Sequence, residues 1–272
     1  REFIVNDSNY IALSDKERIE ADFVLTSGEK LVSLQSGQDT TQNQLFVKLQ
    51  QLDIASMLKL YPLSPKIEGV LSADLGLNIN SKHFGVKGDL RVDTLVYADG
   101  NGGDLNLKAG YVALEEGGQR VALSLNLNDK EVVKLGGKYN TSSEGGVKLK
   151  LSIDELPLLS VNPFIPADLL KLTGELNGDF SLDGSQEKIN MDGFLQFQDV
   201  DMTLPSIGTT FTLSPEKITM KDNTITMYNF GMSGPNKQPM LLEGSIALGD
   251  IKEMLSDFGK IRSDILITAS EF

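Results

Sequence analysis

Taken two residues at a time, the run from Leu172 to Gly184 puts Leu172, Gly174, Leu176, Gly178, Phe180 and Leu182 on one side. Thr173, Glu175, Asn177, Asp179, Ser181 and Asp183 fall on the other. A side-chain period of two over that length predicts a half-buried β-strand. The next run follows the same rule, with Ile189, Met191, Gly193, Leu195 and Phe197 on one side and Asn190, Asp192, Gln196 and Gln198 among those opposite. Asp183, Gly184 and Ser185 supply turn chemistry between the two. The same pair of strands occurs earlier, where Ile67, Gly69, Leu71, Ala73, Leu75 and Leu77 precede Phe84, Val86, Gly88, Leu90 and Val92. The two pairs align without a gap: Gly69 with Gly174, Leu77 with Leu182 and Gly88 with Gly193, each at an offset of 105 residues. Repetition of this kind implies an architecture that grows by adding like units.

The rest of the chain carries shorter versions of the pattern. Glu2 to Gly37 divides into brief β segments, with a hairpin turn at Ser27, Gly28 and Glu29, and Gln35 to Asn43 is predicted as a loop. Leu45, Val47 and Leu49 resume the alternation, and Asp53 then caps a helical pattern from Ile54 to Leu60 that Pro62 and Pro65 stop. A broken apolar helix with Leu156, Pro157, Leu158, Leu159 and Pro163 stands in the same place before the second strand pair. Strands are expected at Asp104 to Leu114, Arg120 to Asn128 and Glu131 to Asn140, with turns at Asn101 to Gly103, Glu116 to Gly118 and Asn128 to Lys130. Further strands are expected at Thr209 to Leu213, Lys217 to Lys221, Thr224 to Phe230, Met240 to Leu248 and Ser263 to Ala269, with a helix at Ile251 to Phe258 capped by Asp250 and Glu253. Residues 1–44 thus read as the end of a preceding repeat, 45–146 and 147–249 as two repeats, and 250–272 as a short helix and the start of the next.

Charge and composition narrow the function. At 272 residues with a net charge of −13, the chain would be repelled by phosphate backbones and anionic membrane surfaces, so nucleic acid is not an expected partner. It has no cysteine, which removes disulfides and thiol chemistry without deciding the compartment. No apolar run reaches the ~20 residues that span a bilayer, and no signal segment precedes REFIVN, so the chain reads as a piece of something longer. His83 is the single histidine and cannot alone build a zinc site. Asp99, Asp129, Asp183, Asp222 and Asp250 suit turns and caps, and none belongs to a dense calcium loop. There is no phosphate-binding glycine motif or nucleophile elbow, so no enzyme, metal or cofactor is expected.

What remains is the apolar face. A second sheet packed against it would make an ordinary sandwich or barrel, whereas a curled sheet would leave a trough to be covered by a guest. Periodicity alone leaves both open.

The order LPLLSVNPFIPADLLKLTGELNGDFSLDG, then INMDGFLQFQDVDMTLPSIGTTF and later LEGSIALGD, resembles the repeating text of the TamB family, within the AsmA-like group of bacterial envelope proteins. The matching positions are Leu156 to Leu159, Gly174 to Gly184 and Gly193 to Phe197. The earlier repeat matches with Ala73 and Ile79 in place of Gly178 and Gly184, and Gln186 to Lys188 lacks the proline often found there. The resemblance implies an all-β fold: a long, curled, antiparallel-rich sheet forming a U-shaped groove, or β-taco, with an apolar concave face and a few short helices. It also implies a periplasmic segment of a translocation and assembly module, with an inner-membrane anchor outside the segment and an outer-membrane barrel of the TamA or BamA kind as partner.

Two functions follow. In the first, the groove carries phospholipid acyl chains between the membranes, lined by Ile67, Leu71, Leu75, Leu77, Val86, Leu90, Val92, Leu172, Leu176, Phe180, Leu182, Met191, Leu195 and Phe197. In the second, a sheet edge pairs with an unfolded outer-membrane strand and chaperones its assembly. An ordinary β-sandwich binding module is the residual alternative.

Overall fold

The computed structural model describes residues 2–13, 18–39, 43–59, 66–79, 84–98, 100–114, 117–140, 145–185, 188–250 and 261–269. Of the described residues 72% are strand and 5% helix, and the described strands belong to one long antiparallel sheet of 20 strands that is not closed into a barrel. It divides into two compact units, Arg1–Glu131 and Val132–Phe272.

In the first unit, β1 (Ile4–Val5) and β2 (Tyr10–Leu13) both pair with β3 (Ile19–Ser27). A meander follows through β4 (Lys30–Ser36), β5 (Gln44–Asp53), helix α1 (Ile54–Leu58), β6 (Ile67–Asn78), β7 (Gly85–Tyr97), β8 (Gly100–Ala113) and β9 (Gly118–Leu127). From β3 to β9 each strand pairs antiparallel with the one before it. Asp53 caps α1, its carboxylate accepting the Ser56 N–H at 2.7 Å. The Ser56 hydroxyl and N–H together hold the Asp53 pKa below its ordinary value.

The second unit opens with β10 (Lys130–Asn140) and β11 (Gly146–Pro157), then 3₁₀ turns at Leu158–Ser160 and Asn162–Phe164 where the broken apolar helix is expected. There follow β12 (Lys171–Leu172), β13 (Glu175–Ser185), β14 (Ile189–Gln198), β15 (Asp201–Leu204), β16 (Thr209–Leu213), β17 (Lys217–Lys221), β18 (Thr224–Ser233), β19 (Pro239–Ala247) and β20 (Arg262–Ala269). One end of this unit is ordered β11–β13–β14–β17–β18–β19–β20 and the other β12–β15–β16–β18. Thus β12 with β13, β14 with β15, and β16 with β17 each trace one sheet-crossing strand broken in two. β1 and β2 bear the same relation to β3 that β16 and β17 bear to β18.

Several boundaries differ from the sequence reading. Leu172 to Gly184 is not one strand: the ladder breaks at Thr173 and Gly174, so Leu172 lies on β12 opposite Met202. Gly174 has φ +85°, and a Cβ there would stand 2.3 Å from the Asp199 carbonyl oxygen, so the backbone crowds that point. Asp183 and Gly184 are strand, pairing with Asn190 and Ile189, and the turn starts at Ser185, whose hydroxyl accepts the Lys188 N–H at 3.2 Å. Asn101 to Gly103 likewise belong to β8, because the chain reverses between Tyr97 and Gly100. Gln35 and Ser36 finish β4 instead of opening the loop. The β9–β10 turn falls where expected, with Asn128 at φ 49° and Asp129 at φ 65°, the left-handed pair a two-residue hairpin demands. His83, Asp99, residues 60–65 and the helix expected at 251–258 lie outside the described residues.

The repeat reaches into the irregularities. Gln51, at φ 52°, bulges between Leu49 and Leu52, and its N–H is taken by the Ser72 hydroxyl at 3.2 Å. Glu155, at φ 44°, bulges between Ile153 and Leu156, and its N–H is taken by Asn177 Oδ1 at 2.8 Å. Ser72 and Asn177 are equivalent positions of the repeat. A bulge leaves one extra backbone donor without a ladder partner, and both repeats satisfy it from the adjacent strand.

Candidate functional site

Residues directly opposite one another in an antiparallel ladder share a face. In the first unit the register therefore assembles apolar rows running across the strands. One row reads Leu25, Val32, Leu49, Ala73, Leu90, Leu107 and Leu125 from β3 to β9. Its neighbour reads Phe23, Leu34, Val47, Leu75, Gly88, Ala109 and Leu123. Leu71 with Val92, and Leu77 with Val86, lie in the flanking rows. Ile67 pairs with Tyr97 beyond the bulge at Gly69.

The second unit repeats the arrangement. Leu135, Leu151, Phe180, Gly193, Met220, Ile225 and Ile246 form one row from β10 to β19. Leu182 meets Met191, Leu195 lies between Gly178 and Ile218, and Leu176 meets Phe197. Large side chains lie over glycines in the facing strand: a Cβ on Gly193 would stand 2.6 Å from Phe180 Cδ1, and one on Gly88 would stand 2.9 Å from Leu75 Cδ2. The Phe197 ring continues toward β18, tilted against Phe230 with centroids 5.9 Å apart.

Register thus brings together twelve of the fourteen residues singled out in the sequence, six in each unit; Ile67 stands past a bulge and Leu172 past a strand break. Leu107, Leu125, Leu151 and Ile218 lie in the same rows and were not among them, although the same period-two signal marks each. Val92 is buried and the other thirteen are half-buried.

The alternate positions are mostly polar, and many are hydrogen-bonded or ion-paired. Asp89 accepts from Asn106, whose carbonyl oxygen accepts from Asn126 at 3.4 Å. Asp179 accepts from Ser152 at 2.7 Å, and Lys48 approaches Asp74 at 3.8 Å. Asp192 pairs with Lys221 and also accepts the Asp222 N–H at 2.7 Å. The Lys221 hydrogen bond, then that of Asp222, holds the Asp192 pKa below the ordinary carboxylate range, and Asp192 in turn raises that of Lys221. Lys217 sits over the Phe194 ring at 3.9 Å.

Among the described residues no three His, Cys, Asp or Glu side chains gather as metal ligands, and no helix is long and apolar enough to cross a membrane. No family model, curated protein or solved structure matches the chain.

Proposed function

We propose that the apolar face carries acyl chains, and that the chain is a periplasmic segment of a TamB-like protein moving phospholipid between the inner and outer membranes. The observation that supports this is the half-burial of the register-aligned rows. Full burial of a Leu or Phe side chain contributes about 1.5 to 3 kcal/mol, and residues left half-buried retain part of that for a guest. The alternate face, with its ion pairs and hydrogen-bonded carboxylates, is already matched to water. On this reading the anchor lies in the inner membrane outside this segment, and the partner is an outer-membrane barrel of the TamA or BamA kind.

Native mass spectrometry of the purified chain, with solvent extraction, tests the reading. Phospholipid should co-purify, and Phe180→Asp or Leu71→Asp should remove it while thermal unfolding stays cooperative. Glu175→Lys, at an alternate position, should retain it. Absence of lipid, or equal loss in Glu175→Lys, would sink the proposal.

A further inference from the structure

On the polar face of the first unit, one row departs from its neighbours. Across β5, β6, β7 and β8 it reads Phe46, Gly76, Lys87 and Gly110, and the adjacent row reads Gln44, Asn78, Gly85 and Val112. The missing side chains leave a hollow of about 360 Å³ lined by Phe46, Gly76, Gly85, Lys87 and Val112 among others. The Phe46 ring overhangs Gly76, where a Cβ would meet it at 3.6 Å, and a Cβ on Gly85 would meet Val112 Cγ2 at 3.9 Å. Phe46 and Val112 are 49% and 47% exposed, an apolar pair among glycines, amides and the single cation Lys87.

The equivalent row of the second unit is built differently. It reads Lys150, Ser181, Asp192 and Lys221, and there Asp192 is neutralised by Lys221. Lys87 occupies the place of Asp192, with glycine on either side in the row and no ion pair joining it to another described residue.

We propose that this hollow binds a single acyl chain bearing a carboxylate. The chain lies over Gly76 and Gly85 between Phe46 and Val112, a path of three strand spacings or about 14 Å, and its carboxylate pairs with the Lys87 ammonium. The width of one row admits one chain, and the unpaired cation selects an anionic head. Its two rows alternate with the acyl rows along each strand, although Leu77, Val86 and Tyr111, which lie between them in sequence, also line the hollow.

Titration of the full chain with sodium dodecanoate, followed by amide and methyl NMR, tests it. The Val112 methyls and the Gly76 and Gly85 amides should move. Lys87→Gln should weaken binding about tenfold, the loss of one charge-assisted contact, and dodecanol should bind wild type no better than dodecanoate binds that variant. Gly76→Val should abolish binding by filling the hollow; its backbone is ordinary strand, so the fold has room for the side chain. If that variant does not fold, Phe46→Ala removes the wall at an exposed position and should give the same loss. Shifts confined to the Leu90 and Leu107 methyls would overturn the hollow and leave the acyl-face reading standing. Unchanged affinity in Lys87→Gln and Phe46→Ala, or no binding to wild type, would overturn it outright.

Discussion

The two repeats share one register and differ in what happens at one end of their strands. In the first, Gly69 at φ 142° and Thr94 at φ 52° make bulges in strands that continue. In the second, the equivalent Gly174 at φ 85° and Asp199 at φ 50° are places where the strands stop and restart as β12 and β15. The cause lies in what waits beyond. In the first repeat α1 has no buried residue, although Leu52 and Leu95, the latter equivalent to Val200, are buried in the strands beside it. In the second, Leu158 is buried, Val200 is fully buried and Phe211 is nearly so, and the Asn162 side chain brackets Leu172, donating to its carbonyl and accepting its N–H, both at 2.8 Å. The Asn162 side chain, imitating a strand edge, holds β12 away from β13. A backbone kink therefore becomes a bulge or a break according to whether something holds its far side.

The largest way to break that comparison is Gly174→Ala. Its φ and the Asp199 carbonyl at 2.3 Å from the new Cβ leave no room, and a cost of about 2 to 4 kcal/mol is expected in urea unfolding. Gly69→Ala meets the buried Val92 Cγ1 at 2.9 Å and the Asp93 carbonyl oxygen at 3.1 Å, looser than the 2.3 Å at Gly174, and should cost about half as much. Equal costs would mean that break and bulge are equally constrained.

Asn162→Ala comes next. Loss of both bonds to Leu172 should cost about 1 to 3 kcal/mol and expose the Leu172 amide to hydrogen exchange, with protection of β6 unchanged. If Leu172 stays protected, the bracket is not what holds β12.

Smaller effects are expected where the repeats agree. Asn177→Ala and Ser72→Ala each strip the acceptor from a bulge, at about 0.5 to 1.5 kcal/mol, and the 2.8 Å bond of Asn177 should outweigh the 3.2 Å bond of Ser72. A reversed order in denaturant midpoints would contradict the shared role.

The least effect is that of acid on Asp192. Because its folded pKa is depressed, its contribution is whole above the unfolded value of about 3.9 and is lost as pH falls through the folded value. Asp192→Asn should therefore flatten the acid limb of the stability curve below about pH 4, while Lys87→Gln at the matching position leaves that limb unchanged. An acid limb identical to wild type in Asp192→Asn would remove the pair from the account.

Strand identity, the apolar face and the repeat were legible from alternation alone, because side-chain direction in a strand depends only on parity. Phe180, Leu182, Met191 and Leu195 could be assigned to one face without knowing what they touch, and the antiparallel register adds only which of them are opposite. The turn at Asp183 to Ser185 was misplaced for an equally physical reason: Asp and Gly favour turns, but ten paired residues of β13 and β14 outweigh that local preference. The hollow around Lys87 had no sequence signal, since Phe46, Gly76, Gly85 and Val112 lie on four strands and meet only through register.

By itself, then, the sequence determined that the chain is β, repetitive and apolar on alternate positions, and that it has no cysteine and a single histidine. Tertiary structure decided that the ladders join into one open sheet, which rows meet, and where strands break. Pairing partners far apart in the chain are chosen by the summed energy of whole ladders, and left-handed residues such as Thr94 and Asp199 are tolerated only because the surrounding hydrogen bonds hold them. Local composition cannot encode either.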